Sequence, residues 1–343
     1  MDFTFSDDQN SLREAAREAI ARHKSEPVAG AVEHNVKLWQ ALAELGALGL
    51  PFAEAVGGMG AGPIEAMVVA SELGRVGERT AYSEMLTAAT LLGSDDLVAA
   101  AIEGTTLVVP ALFEPGRAWS PTPHGVRATG DALTGVREPV PYAADARAVV
   151  TTALDGAQVG IFVLEDPSFT GARLDLAGQS ARRVVGDATQ VQRAVNLGTL
   201  VLAGEAVGAM ESALTMTVEY LKSRKQFGVP LMKFQTLTQR AADMYTSLEL
   251  ARSAVYFAAM SLAENPDDAV SISRMKVTAG KAGRHIGQEA IQLHGGIGMT
   301  AEYAVGHRTA RLTEFEHTYG DTRYHVGQLA ARLREYGALD LVS

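Results

Sequence analysis

The C-terminal half of the sequence carries several long segments with a helical pattern of apolar residues, and this feature most constrains the fold. In the strongest of them, residues 272–293, apolar side chains recur at spacings of three and four, which places them on one face of a helix. Further helical patterns cover residues 207–221, 237–255 and 322–336. Four long amphipathic helices joined by short connections predict a four-helix bundle over residues 197–343.

The segment before the bundle, residues 107–196, has the pattern of a small β domain. Short apolar runs alternate with turn residues, and the pair Asp155-Gly156 between two such runs is a strong hairpin signal. The predicted strands are 107–109, 125–129, 132–136, 148–153 and 159–164, with edge strands at 182–185 and 191–194.

The first 106 residues have helical patterns again. Ser6 and Gln9 have the spacing of a capping box, and a second helix is predicted from Trp39 to Leu48. The order of the three parts predicts an α+β fold, with an N-terminal α-helical domain at 1–106, a middle β domain at 107–196 and a C-terminal four-helix bundle at 197–343.

Composition excludes several classes of function. The formal net charge of −10 argues against a nucleic-acid partner, which would require a basic surface. Because the chain has no cysteine, disulfides and thiolate metal sites are excluded. His307, His317 and His325 cluster near the C-terminus, but their spacing is not a metal-ligand motif. We expect no metal, no membrane span and a cytoplasmic location, because no secretory signal or sufficiently long apolar run is found.

The most specific motif lies at residues 220–244, YLKSRKQFGVPLMKFQTLTQRAADM. By residue type alone, it is a helix end that carries cations, followed by a tight turn and the start of another helix. The order of Arg224, Gln226, Phe227 and Gln235 nevertheless closely resembles the signature of the acyl-CoA dehydrogenase family.

Two further stretches carry the same resemblance. The run QLHGGIG at residues 292–298 is similar to the family's Gln-x-x-Gly-Gly-x-Gly motif, although by itself Gly295 could simply end a helix in the left-handed conformation. The stretch from Trp39 through LAELGALGLPFAEAVGGMG resembles the family's N-terminal pattern. The likeness extends over nearly the whole chain and is weakest in the β domain.

The resemblance implies a flavoprotein that binds FAD. In the family, these motifs hold the FAD of the neighbouring subunit. Carried over, Arg224 would clamp the pyrophosphate, a task suited to a planar guanidinium. Gln226, Phe227 and Gln235 would line the adenosine side. Gln292, Gly295 and Gly296 would touch the dinucleotide through backbone that no Cβ shields.

The expected catalytic carboxylate is missing. Family members remove the α-proton of an acyl-CoA with a glutamate while the β-hydrogen leaves as hydride. At the position where many members carry this glutamate, the sequence has Tyr319; near the position used by others it has Gly198. Asp321 and Glu316 are close in sequence and could substitute, whereas Glu205 is interpreted as structural.

The β domain departs from the family pattern as well. Phe113-Glu114-Pro115-Gly116 is not followed by the family's Ser-Asp, and Pro139 and Pro141 remove backbone donors where a flavin edge would need them. The flavin platform of this chain itself is therefore in doubt.

Three hypotheses follow. The first is a subunit of a heteromeric acyl-CoA dehydrogenase that lacks its own base, with a second subunit as partner in a heterotetramer. This chain resembles the base-less subunits found in actinobacterial degradation of steroid side chains, so a steroid acyl-CoA is a candidate substrate. An electron-transfer flavoprotein or similar protein would accept the electrons. The second is a self-sufficient homo-oligomer in which Tyr319 or Asp321 has an unusual role; the third is an acyl-CoA-binding or scaffolding protein without redox activity.

Overall fold

The computed structural model describes residues 4–24, 34–300 and 302–333. The N-terminal part is helical, as predicted. Its helices are α1 (Asp7–His23), α2 (Val36–Glu44), α3 (Pro63–Val76), α4 (Tyr82–Leu92) and α5 (Leu97–Ile102). The Ser6–Gln9 capping box at the start of α1 is confirmed in both directions.

The second predicted helix is shorter than its apolar pattern. It ends at Glu44, and the chain continues as a single 3-10 turn, Ala47–Gly49. Gly46 between them has φ 75°, a left-handed conformation that stops the α-helix. Trp39 and Leu48 are nevertheless both buried in the core.

The middle part forms a six-stranded sheet, whose strands are β1 (Val108–Ala111), β2 (Arg127–Thr129), β3 (Ala132–Thr134), β5 (Ala148–Asp155), β6 (Gln158–Glu165) and β8 (Arg182–Val184). Their order is β3-β2-β5-β6-β8, with β1 parallel to β5. Two short strands, β4 (Val136–Arg137) and β7 (Leu174–Asp175), pair separately. The hairpin predicted at Asp155-Gly156 is confirmed, since β5 and β6 are antiparallel with Asp155 opposite Gln158.

The edge strand predicted at residues 191–194 is wrong. These residues belong to α6 (Ala188–Ser223), whose first N–H groups are capped by the Asp187 side chain. Val191, Ala194 and Val195 are buried at helical spacing, and this run was too short to distinguish from a strand. The first bundle helix therefore begins inside the segment that was predicted as β.

The C-terminal part is a helix bundle. Besides α6 it contains α7 (Gln235–Glu264), α8 (Ala269–His294), α9 (Ala304–His317) and α10 (Thr322–Ala331). Helix α9 was not predicted; it packs against α6 and α8. The last predicted helix, 322–336, corresponds to α10, and residues after 333 lie outside the described part of the chain.

Glycines bring α6 against α3. A Cβ on Gly208 would lie 2.0 Å from the backbone oxygen of Ser71, and one on Gly204 would lie 2.7 Å from that of Met67. Only a residue without a side chain allows the two backbones to approach this closely. Helix α6 is also long and apolar enough to cross a bilayer by length and composition, but 89% of its most apolar window is buried inside the protein. The bundle core accounts for its apolar residues.

Candidate functional site

The ends of α6 and α8 meet at an open groove of about 550 Å³. Helix α6 ends at Ser223, a short hairpin of β9 (Lys225–Gln226) and β10 (Val229–Pro230) follows, and α8 ends at His294. The groove is lined by Tyr220, Arg224, Gln226, Leu231, Leu237, Arg240, Gln292, Leu293, His294, Gly295, Gly296 and Ile297. Five residues selected from two distant sequence motifs thus line one concave surface, namely Arg224, Gln226, Gln292, Gly295 and Gly296.

The groove presents a cation and open backbone. Arg224 is exposed, and among the residues that the structure describes no carboxylate lies within 4 Å of its guanidinium, whereas Arg240 is paired with Glu289 at 2.5 Å. No atom lies within 4 Å of a Cβ built on Gly295 or Gly296, so a ligand can approach the backbone there. A guanidinium without an ion-pair partner, in a groove with open space beside two glycines, suits a phosphate-bearing ligand.

Gly295 does end α8, but not in the expected left-handed helical conformation. Its φ is 63° and its ψ is −143°, which places it outside that region although φ is positive. A side chain at this position would still be strained.

Two predicted residues, Phe227 and Gln235, are not part of the groove lining. Phe227 is at the turn of the β9–β10 hairpin, 92% exposed, with its ring edge against Phe234 at 6.2 Å. Gln235 is the first residue of α7 and is exposed. Within this chain, both are positioned beside the groove and face outward.

Sequence reasoning missed His294, which lies inside the QLHGGIG motif. It is buried, its Nδ1 lies 2.8 Å from the Ala290 carbonyl oxygen, and its ring packs 4.6 Å from that of Tyr220. Burial lowers the pKa of His294, so the neutral imidazole is favoured, and the positive charge at the groove comes from Arg224 and the ion-paired Arg240.

Tyr319 lies elsewhere, between α9 and α10, facing the β domain. It is 2% exposed, and its ring stacks on Phe113 at 5.8 Å and meets the edge of Trp119 at 5.2 Å. Its hydroxyl is 3.5 Å from Thr87 Oγ1, at the outer limit of a hydrogen bond. Burial raises the pKa of Tyr319 well above its usual range, which keeps the hydroxyl neutral.

Gly198 lies directly against this ring. A Cβ on Gly198 would be 3.1 Å from Tyr319 Cε2 and 2.1 Å from Thr87 Oγ1. The two positions at which family members carry the glutamate, 198 and 319 in this chain, therefore lie next to each other. One is glycine, and the other fills the space with an aromatic ring.

The nearby carboxylates have structural partners. Asp321 caps α10 by accepting from the Tyr324 N–H at 2.7 Å, and Glu316 accepts from the Thr322 N–H at 3.0 Å and from Arg284. Glu205 forms a two-pronged ion pair with Arg311 at 2.6 and 2.7 Å. These contacts direct each carboxylate toward helix capping or ion pairing.

One buried carboxylate, Glu84 on α4, was not singled out from the sequence. Its Oε2 accepts from Ser83 Oγ at 2.8 Å, and burial raises its pKa, a shift that the charge of Arg311 opposes. It lies one turn before Thr87 on the same helix. No motif marks it, because nearly every residue of α4 is buried.

The β-domain loop that carries Phe113 and Trp119 is held by internal hydrogen bonds. Glu114 accepts from the backbone N–H groups of His124 and Gly125, and the buried Arg137 donates to the carbonyl oxygens of Leu112 and Thr152. These donors are therefore satisfied within the chain. In the described residues, no group of three or more histidine or acidic side chains is arranged to hold a metal ion.

Comparisons with known proteins match both helical parts of the chain. Residues 6–102 match the acyl-CoA dehydrogenase N-terminal domain, and residues 188–334 match the acyl-CoA dehydrogenase C-terminal domain. Acyl-CoA dehydrogenase FadE27 of Mycobacterium tuberculosis is 32% identical over 81% of this chain and 83% of its own. Acyl-CoA dehydrogenase IpdE2 of Mycolicibacterium smegmatis is 30% identical over 88% of this chain and 90% of its own.

Solved structures agree with this assignment. In the crystal structure of the ChsE4–ChsE5 complex from Mycobacterium tuberculosis, the matched chain is 25% identical and has a TM-score of 0.89. The match covers 98% of this chain and 100% of that one. The predicted α+β architecture is thereby confirmed, and the chain belongs to the acyl-CoA dehydrogenase family.

Proposed function

We propose that this chain is the partner subunit of a heteromeric, FAD-dependent acyl-CoA dehydrogenase. In this proposal a second subunit supplies the carboxylate base and holds most of the FAD. This chain completes the nucleotide site across the subunit boundary. The assembly would dehydrogenate an acyl-CoA thioester between its α and β carbons. Assignment to steroid substrates, to an electron-transfer flavoprotein as acceptor and to the cytoplasm stays a prediction from sequence resemblance.

The observation that carries the proposal is the contact between Tyr319 and Gly198. Either position could hold the family's glutamate, and here an aromatic ring packs directly on a glycine. Loss of a general base costs about 10²–10⁴ in rate. A buried tyrosine whose pKa is raised cannot replace a carboxylate near neutral pH.

The groove supports the second half of the proposal. Arg224 fits the pyrophosphate of FAD, because phosphate oxygens accept well from a guanidinium, and the open space beside Gly295 and Gly296 lets a dinucleotide lie against the backbone there. Gln226 and Gln292 add amide groups to the same wall. When bound, FAD supplies the acceptor for the β-hydride; this chain's part is to bind and orient the dinucleotide.

The cleft between the β domain and the bundle, lined by Trp119, Tyr319 and residues of α6, α8 and α10, supports a division of roles between two subunits. Phe113, Trp119 and Tyr319 pack on one another there, and the loop that carries the first two is closed by the hydrogen bonds of Glu114. A flavin ring in this chain's own cleft would have to displace that cluster. The ChsE4–ChsE5 relative is described as a complex of two proteins, which is the kind of assembly proposed here.

Co-purification tests the proposal. The chain is purified alone and together with an acyl-CoA dehydrogenase homologue from the same organism that carries the family's glutamate, and flavin absorbance and acyl-CoA dehydrogenation are recorded for both preparations. Flavin and activity that appear only with the homologue support the proposal. Flavin and activity in the isolated chain would establish a self-sufficient enzyme instead. Colourless, inactive protein in both preparations would favour a binding or scaffolding role.

Glu84 gives the self-sufficient alternative a specific candidate. It is a buried carboxylate of raised pKa on the helix that also contacts Tyr319. If the isolated chain is active, replacing Glu84 with glutamine should abolish turnover while FAD stays bound. A Glu84→Gln chain with full activity would remove Glu84 from consideration.

A further inference from the structure

Residues 315–320, the end of α9 and the first residues after it, direct most of their backbone carbonyl groups at one buried lysine. Lys276 Nζ lies within hydrogen-bond distance of four carbonyl oxygens, which share its three N–H donors: those of Phe315, Thr318 (2.7 Å), Gly320 (3.0 Å) and Glu316 (3.3 Å). The ammonium also lies over the Phe315 ring, 4.3 Å from its centroid. Lys276 comes from α8, so one helix fixes the connection between the two that follow it.

Because Lys276 is buried, its ammonium group must be stabilised by hydrogen-bond acceptors within the protein. Lys276 has no exposed surface, and within the described residues no carboxylate lies within 4 Å of its Nζ. Glu316, whose charge acts on Lys276, is instead paired with Arg284 and with the Thr322 N–H. The ammonium therefore depends on carbonyl oxygens for its solvation, and those oxygens depend on it, because buried carbonyl groups are seldom left without a donor.

A second side chain contacts the carbonyl group of Tyr319. His325 Nε2 lies 3.1 Å from the Tyr319 carbonyl oxygen, and His325 Nδ1 lies 3.1 Å from Ser273 Oγ. A carbonyl can only accept, so Nε2 carries the proton and Nδ1 accepts from the serine hydroxyl. Ser273 and Lys276 are one turn apart on α8. The two contacts thus bind the same segment from α8 and from α10.

The held conformation is an unfavourable one. Tyr319 has φ 55°, in the left-handed region that residues with a side chain rarely adopt. Gly320 follows with φ 97°. A backbone of this kind persists only where its surroundings impose it, and here five carbonyl groups are fixed by two side chains. The conformation aims the ring of Tyr319 between Phe113 and Trp119.

We infer that Lys276 and His325 are positioning residues that hold segment 315–320 so that residue 319 points into the cleft between the β domain and the bundle. We call this pair of residues the clamp. Its role in function rests on the proposed function, in which position 319 is where family members carry the glutamate base and Tyr319 fills that position instead. The clamp would then keep the cleft of this chain filled by the Tyr319 ring, while the second subunit carries out the reaction.

Trp119 reports on the clamp, because its ring contacts Tyr319 and the chain has only two tryptophans. The test uses the full chain carrying Trp39→Phe, so that all tryptophan emission comes from Trp119. Burial lowers the pKa of Lys276 to about 7 and that of His325 to about 4, so spectra are recorded at pH 6, where the lysine is charged and the histidine is neutral.

Lys276→Met removes every N–H donor at nearly constant side-chain length. We expect a red shift of Trp119 emission and stronger quenching by acrylamide. The matched control is Lys281→Met, an exposed lysine on the same helix, which should leave both readouts unchanged. Unchanged emission in folded Lys276→Met would overturn the role of Lys276.

His325 provides an independent test if Lys276→Met does not fold. His325→Leu removes the donor to Tyr319 and should shift the emission, whereas His325→Gln retains an N–H donor and should restore it. If His325→Leu has the same emission as the parent, the inference is overturned. It is also overturned if His325→Leu and His325→Gln shift the emission equally, because a side chain that only fills space would not be rescued by an N–H donor. Neither flavin nor a partner subunit is needed, so this outcome is independent of the proposed function.

Discussion

Tyr319 offers the sharpest way to separate a space-filling role from a chemical one. Two variants separate the contribution of its hydroxyl from that of its ring: Tyr319→Phe removes only the hydroxyl, and Tyr319→Ala removes the ring as well. The hydroxyl makes one marginal contact, 3.5 Å from Thr87 Oγ1, whereas the ring packs on Phe113, Trp119 and Gly198. The two variants should therefore differ strongly.

The expected magnitudes follow from these contacts. Deleting a buried aromatic ring costs about 3–5 kcal/mol of unfolding free energy, because the transfer free energy of the ring is lost and a cavity is left behind. Losing a neutral hydrogen bond costs about 0.5–1.5 kcal/mol, and the long contact to Thr87 places Tyr319→Phe at or below the lower end. Urea unfolding of the full chain, followed by circular dichroism, measures both values.

Activity of the complex with its partner subunit completes this test. If Tyr319 only fills the cleft, Tyr319→Phe should leave turnover unchanged. If its hydroxyl were the base, the same variant should lose about 10²–10⁴ in rate. A loss of that size, with normal folding and FAD content, would refute the conclusion that Tyr319 only fills space in the cleft.

Two further predictions concern stability. Gly208→Ala places a Cβ 2.0 Å from the Ser71 carbonyl oxygen and should cost about 1–3 kcal/mol, measured by urea unfolding, whereas Gly327→Ala, a helical position with open space around it, should be neutral or stabilising. Equal effects would refute the close approach of α3 and α6. Burial, together with the charge of Lys276, lowers the pKa of His325 to about 4, against about 6.5 in the unfolded chain, so between these values only the unfolded state binds the proton. Stability should therefore fall by up to about 3 kcal/mol from pH 7 to pH 4, and His325→Gln should flatten this dependence; an unchanged slope would contradict it.

The elements that sequence predicted well are those whose signals are local. The Ser6–Gln9 box and the long apolar face of α8 each specify their own helix. Helix α9 was missed because it has few apolar residues, chiefly Val305, Leu312 and Phe315, and packing against neighbouring helices holds it in place. The start of α6 was misread because a short apolar run fits both a strand and a helix.

The candidate site divides in the same way. Arg224 and the Gly295-Gly296 pair were identifiable because motifs mark them, and the fold brings both to one groove. No spacing rule could place Gly198 beside Tyr319, since that contact depends on how α6 packs against the segment between α9 and α10. Glu84 carried no signal at all. The roles of Phe227 and Gln235 stay predictions, because both are exposed and neither lines this chain's groove.

In the proposed function, Arg224 binds a dinucleotide that is shared across a subunit boundary. The direct test of this claim is the FAD content of the purified heteromer carrying Arg224→Ala, compared with Lys225→Ala, a neighbouring exposed cation outside the groove lining. We predict that Arg224→Ala loses FAD while the assembly and its circular dichroism spectrum are retained, and that Lys225→Ala keeps the parental amount. Full FAD retention in the Arg224→Ala complex would contradict the account.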